Sequence, residues 1–310
     1  MQQFIVLLLK GMGIGAANVI PGVSGGTVAL ITNIYEKLID SIKAFDLEAF
    51  QILLKFKIKE FLAHINVSFL VPVFLGIVIS ILTLAKLLSH WLETQEVWVM
   101  SFFLGLILVS IYFVGKRVEN WNATSVGALV IGTVIAAGIA LLTPAQENTS
   151  FFYVFICGIV AICSMILPGL SGSFILVIMG NYKLVMESVS SLNIEILIPL
   201  AVGCAFGLVV FARIISWIFK SYRDGTIAMM TGFILGSLIT IWPWKEIIPL
   251  TLDGEIVTKS DGEIVVGGYE WLIPDFAQTE TMVAVGLVVL GGITIWAIEK
   301  LGERFSEEPA

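Results

Sequence analysis

Pro21-Gly22-Val23-Ser24-Gly25-Gly26-Thr27 interrupts an apolar segment running from Phe4 to Lys37, and Pro168-Gly169-Leu170-Ser171-Gly172-Ser173 interrupts a second, from Phe151 to Leu184. Proline removes a helix hydrogen bond and clashes with the preceding turn, and glycine disfavours helix, so each motif breaks the helix that enters it. Freed backbone groups at membrane depth are tolerated only where they are buried in protein or line a wet cavity. Two breaks at matching places therefore mark a candidate site, and the remaining sequence is read for what surrounds it.

Hydrophobic residues make up 58% of the chain and charged residues 13%, a balance that excludes an ordinary soluble domain and indicates a polytopic, all-α integral membrane protein. The net charge of −7 comes largely from Asp253 to Glu280 and the tail, and no basic stripe of the kind that binds nucleic acid is present. Cys157, Cys163 and Cys204 form no CxxC pair, and the two histidines, His64 and His90, are far apart in the chain, so neither a metal site nor a cofactor is implied. The first apolar run carries its charge, Lys10, after rather than before it and lacks a small-residue cleavage site, so it reads as retained.

Residues 1–150 and 151–310 follow one plan. The first half reads as a re-entrant hairpin over 4–37, an amphipathic cytoplasmic helix over 41–66, and spans at 67–88, 97–114 and 126–142. The second reads as a hairpin over 151–184, spans at 197–219, 226–242 and 282–298, and an acidic extracytoplasmic loop over 245–280. Pro21, Gly22, Ser24 and Gly25 align with Pro168, Gly169, Ser171 and Gly172, and Gly11 and Tyr35 align with Gly158 and Tyr182 at the same offset. Pro72, Gly76, Lys86 and Ser89 likewise align with Pro199, Gly203, Arg213 and Ser216, as an internal repeat requires. Cations at Lys37, at Lys116 and Arg117, at Lys220 and Arg223, and at Lys300 and Arg304 place those ends in the cytoplasm. Three crossings per half then make the two repeats inverted.

Inverted repeats whose broken helices meet near the midplane are a recurring plan for secondary transporters. Asn18, Pro21, Gly22, Ser24, Gly25, Gly26 and Thr27 in one half, and Pro168, Gly169, Ser171, Gly172 and Ser173 in the other, combine hydroxyls, close backbone approach and helix-start N–H groups. That is chemistry for a phosphate or carboxylate. The competing reading of each break is a packing kink, and duplication favours function. Lys86 and Arg213 occupy matching places near span ends, as phosphate-attracting cations or as side chains snorkelling to the interface. Glu36, at the hairpin exit, is a candidate proton-coupling carboxylate weighed against a plain interfacial charge.

The run Gly11 to Thr27, continuing to Asn33-Ile34-Tyr35, together with Leu167 to Ser173, resembles the PopT-type polyprenyl-phosphate transporter family, formerly a domain of unknown function, over nearly the whole chain. The resemblance implies flipping of undecaprenyl phosphate, or a similar carrier lipid, across the bacterial cytoplasmic membrane for recycling. It implies no catalytic residues and no partner beyond lipid and membrane, and leaves the oligomeric state open. Pro-Gly-x-Ser is also similar to the phosphate loop of membrane polyprenyl-pyrophosphate phosphatases, whose serine is followed by arginine with glutamates nearby. Gly25 and Gly172 stand where that arginine would be, and Asn18 to Tyr35 contains no carboxylate. General-base and metal-assisted phosphoryl chemistry both lack their parts. An anion channel using the same helix-terminus sites is the third reading.

Overall fold

The computed structural model describes residues 2–19, 24–142, 144–249, 251–252, 255–256 and 266–307. Helix α1 (Gln2–Val19) leads into the first break, followed by the short α2 (Gly25–Ile31) and α3 (Tyr35–Lys43). Next come α4 (Leu47–Leu54), α5 (Ile58–His64) and three long helices, α6 (Val67–Thr94), α7 (Glu96–Gly115) and α8 (Ala123–Ala140). The second half runs α9 (Phe151–Ile166), α10 (Gly172–Ile178), α11 (Tyr182–Ser191), α12 (Ile194–Ser221), α13 (Arg223–Gly236), α14 (Leu238–Ile241) and α15 (Thr279–Glu307). Among the described residues six stretches are long and apolar enough to cross a bilayer: Val67–Leu84, Glu96–Gly115, Ala123–Ala140, Ile194–Ser221, Arg223–Ile241 and Thr279–Ala297. Their outward faces carry large apolar side chains such as Phe74, Leu82, Val134, Phe206, Trp217 and Val289, a belt that needs hydrocarbon rather than water against it.

Two regions differ from the sequence reading. In place of one amphipathic helix over 41–66 the chain forms the end of α3 and two further helices, α4 and α5. Asp46 caps α4 by accepting the Ala49 N–H at 2.8 Å, and Phe56 takes a left-handed φ of 54° that ends the helical run. The acidic loop is not purely irregular: strands Lys245–Pro249 and Val266–Trp271 pair antiparallel, Ile247 opposite Tyr269, so the fold is helical with a small appended sheet.

Four helix pairs form the frame, and each is sealed by two facing glycines. Gly11 and Gly76 join α1 to α6, Gly158 and Gly203 join α9 to α12, Gly105 and Gly291 join α7 to α15, and Gly132 and Gly232 join α8 to α13. At every one of these positions a Cβ would run into a carbonyl of the partner helix. Close backbone approach of this kind drives association in lipid, where apolar burial gains nothing. Inside the frame, Ile14, Leu30, Tyr35, Phe69, Met230 and Ile234 form a buried core around α2 and α3.

Candidate functional site

At the first break α1 stops at Val19 and α2 begins at Gly25. Ser24 holds extended backbone and caps α2, its Oγ accepting the Gly26 N–H at 3.2 Å, while Asn18 Oδ1 at the end of α1 accepts the Gly25 N–H at 3.0 Å. The other end of α2 is held by cations. Lys10 Nζ donates to Thr32 O at 2.7 Å, and the Arg117 guanidinium donates to Leu30 O at 2.6 Å and Ile31 O at 2.7 Å. A helix C-terminus leaves its last carbonyls without intrahelical partners, and of these Leu30 O also accepts the Asn33 N–H at 3.1 Å. Arg117 also pairs with Glu299 of α15 at 3.1 Å. Burial pulls the Arg117 pKa below the usual arginine range and Glu299 beside it pushes back up; arginine stays charged in either case.

At the second break α9 stops at Ile166 and α10 begins at Gly172, capped by Ser171, whose hydroxyl lies 2.9 Å from that of Ser173. Gly169 takes a φ of 82°, and a Cβ there would meet the Phe233 carbonyl at 2.6 Å, so glycine is required on both counts.

The two breaks touch. Ser24 Oγ donates to Leu167 O at 3.2 Å, the Gly169 N–H donates to Thr27 Oγ1 at 2.9 Å, and a Cβ on Gly26 would sit 2.8 Å from Ile166 O. Ser24 and Thr27 are both buried, so these bonds are made away from water. Cavities flank the contact. One, of about 100 Å³, is lined by Asn18, Gly25, Gly26 and Tyr35 among aliphatic side chains; the other, of about 20 Å³, is lined by Gly169, Leu170, Ser171, Ser237 and Thr240 with apolar neighbours.

The family described as VCA0040-like, undecaprenyl phosphate translocase-like, matches residues 14–257, both breaks included. The chain belongs to that family. A relative named polyprenyl-phosphate transporter, from Vibrio cholerae serotype O1, is 38% identical over 305 residues covering 98% of each chain. Another of the same name, from Staphylococcus aureus, is 29% identical over 294 residues, 85% of this chain and 98% of its own. No solved structure matches.

For this member of the translocase-like family, the structure gathers Asn18, Ser24, Gly25, Gly26 and Thr27 with Pro168, Gly169, Ser171, Gly172 and Ser173 into one region. Pro21, Gly22 and the Lys86 side chain lie outside the described residues. Arg213 stands exposed on α12 and lines neither cavity. Glu36 faces a separate cavity of about 150 Å³, where it pairs with Arg223 at 3.2 Å beside the Asp40–Lys220 pair at 3.6 Å. The N–H groups of Gly25, Gly26 and Thr27, which the sequence reading offers to an anion, are already engaged by Asn18 and Ser24. The sequence reading used Lys10 only in taking the first apolar run as retained, and Arg117 only as a cytoplasmic marker at a span end. A lysine midway along an apolar helix was the available signal, and the carbonyls it serves are visible only in the fold.

Proposed function

We infer that this chain is a multi-pass transporter that carries a polyprenyl phosphate, undecaprenyl phosphate or a similar carrier lipid, across the bacterial cytoplasmic membrane. The head group crosses at the junction of the two breaks, and the tail stays in lipid. The observation that carries the reading is the junction itself: two broken helices from opposite halves of the chain, held together by Ser24–Leu167 and Thr27–Gly169, with a cavity on either side. A contact with a cavity beside each break is what alternating access needs, because opening either side exposes one site.

The helix pairs support inverted repeats. Exchanging each first-half helix for its second-half counterpart turns α1–α6 into α9–α12 and α7–α15 into α13–α8, so all four glycine-sealed pairs map onto one another. The lengths support re-entrant hairpins. At about 1.5 Å per residue, α2 and α10 run only about 10 Å, far short of a roughly 30 Å hydrocarbon core. The Lys10–Thr32 bond brings the turn after α2 back to the level of mid-α1. The gathered residues are hydroxyls, amides and glycines with no general base among them, which favours transport over phosphoryl chemistry.

Reconstitution into proteoliposomes with undecaprenyl phosphate, with and without a pH gradient, tests the reading. Protein-dependent translocation is expected, with no phosphate released from undecaprenyl pyrophosphate. Phosphate release at ordinary enzyme rates, on the order of one per second or faster, would make the protein a phosphatase. Ion flux far outpacing lipid movement would make it a channel.

A further inference from the structure

We propose that the Tyr35 hydroxyl binds the phosphate monoester inside the cavity behind the first break. The proposal rests on the transporter reading and names a residue that neither the break motifs nor the family match assigns. Tyr35 opens α3, directly after a turn in which Asn33 takes a φ of 60°. Its side chain is 2% exposed and its ring packs 5.7 Å from that of Phe219, yet among the described residues its hydroxyl has no hydrogen-bond partner. A buried unpaired hydroxyl costs stability that a phenylalanine of the same shape would not. A phenol keeps its proton at neutral pH, so the group is a donor waiting for an acceptor.

The surroundings define the acceptor. The cavity holds about 100 Å³, against roughly 10–15 Å³ on the same measure for a single water, so it admits a group of several heavy atoms. Its polar lining residues are Asn18, Gly25, Gly26 and Tyr35, whose hydroxyl sits behind the wall with almost no surface of its own, and the rest is aliphatic apart from the Met165 thioether. The Gly25 N–H is bonded to Asn18 Oδ1 and so fixes the amide, leaving the Asn18 Nδ2 hydrogens as further donors on an exposed side chain at the rim. Donors set in an aliphatic cup open at one side suit a compact oxyanion on an apolar stem. Among the described residues no lysine or arginine lines the cup, so neutral donors must recognise the group directly. The repeat counterpart provides a contrast: Tyr182 is 39% exposed and lines neither junction cavity.

The test measures calorimetric binding of geranyl phosphate and of inorganic phosphate to the full chain in detergent, for wild type, Tyr35→Phe and Tyr182→Phe. Thermal midpoints without ligand and lipid movement in proteoliposomes are followed in parallel. A hydrogen bond to a charged group predicts that Tyr35→Phe weakens binding by about tenfold or more. Its unliganded midpoint should equal or exceed that of wild type, and Tyr182→Phe should bind as wild type. Tighter binding of geranyl phosphate than of phosphate assigns the pocket to a lipid head group; equal binding assigns it to free phosphate, and in both cases the hydroxyl is the donor. Unchanged affinity in Tyr35→Phe overturns the proposal while leaving the transporter reading standing. So does a lowered unliganded midpoint, which would mean the hydroxyl serves a resident water or a protein group. A wild type that moves lipid yet binds neither probe also overturns it. A wild type that neither binds a probe nor moves lipid overturns both readings.

Discussion

Thr27→Val keeps the size and branching of the side chain and removes the oxygen to which the Gly169 N–H donates across the junction. The bond is 2.9 Å long and Thr27 is 3% exposed, so water cannot take the oxygen's place. A buried N–H left unpaired costs about 1–3 kcal/mol. Exchanging hydroxyl for methyl recovers up to about 0.8 kcal/mol of apolar burial, leaving a loss of about 0.2–2.2 kcal/mol when that gain is complete. At about 1.4 kcal/mol per decade, hydrogen-exchange protection of the Gly169 amide should fall by about 1.4-fold at the low end of that range and about 40-fold at the high end. Ser24→Ala is the comparison. Leu167 O keeps a second donor, the Leu170 N–H at 3.4 Å, so the second break is little disturbed, whereas the Gly26 N–H loses its cap. Residue-resolved exchange in nanodiscs should therefore show Thr27→Val acting at Gly169 and Ser24→Ala acting at Gly26. Unchanged Gly169 protection in Thr27→Val would refute the claim that this hydroxyl ties the breaks together.

Two further outcomes are expected. Single cysteines at Glu119 and Glu147, both exposed, in a background lacking the three native cysteines should label oppositely in intact cells with a membrane-impermeant thiol reagent, Glu147→Cys reacting and Glu119→Cys protected; equal labelling would remove the topology on which the inversion rests. Arg117→Met should lower thermal stability by about 1–3 kcal/mol through loss of charge-assisted bonds, with Arg117→Lys only a partial rescue because a lysine cannot span the Leu30 and Ile31 carbonyls as a fork. Adding Glu299→Gln to Arg117→Met should cost less than the separate losses summed, since the two side chains share one ion pair.

Both breaks could be placed from the sequence because proline and clustered glycine inside an apolar run leave a helix few options, and the helices flank those motifs at Val19 and Gly25 and at Ile166 and Gly172. The six long apolar helices were legible for the same reason, that length and hydropathy set a bilayer crossing. What touches across the junction was not. Thr27 meeting Gly169, and Arg117 meeting Leu30 and Ile31, join residues far apart in sequence, and no local pattern encodes such pairs. The 41–66 segment misled because its amphipathic spacing continues through Phe56, whose left-handed backbone breaks the helix without glycine or proline to announce it. The strands of the acidic loop were hidden by its charge, although Val266 to Trp271 is rich in the β-branched and aromatic residues that strands favour. Tyr35 was visible in the repeat alignment, but its unpaired hydroxyl is a property of the packed molecule alone.

The central claim, that head groups cross where the two breaks meet, is tested most directly by adding one methyl group to either break. A Cβ on Gly25 would lie 2.6 Å from Asn18 Oδ1, and one on Gly172 would lie 2.6 Å from Ala161 O, so each alanine must displace its own side of the junction. The measurement is undecaprenyl phosphate translocation in proteoliposomes by wild type, Gly25→Ala and Gly172→Ala, with the amount of folded protein matched beforehand by size-exclusion chromatography. Loss of translocation in both variants is predicted, although the two glycines belong to opposite halves of the chain. Wild-type translocation by well-folded Gly25→Ala and Gly172→Ala proteins would contradict the account and show the breaks to be packing kinks.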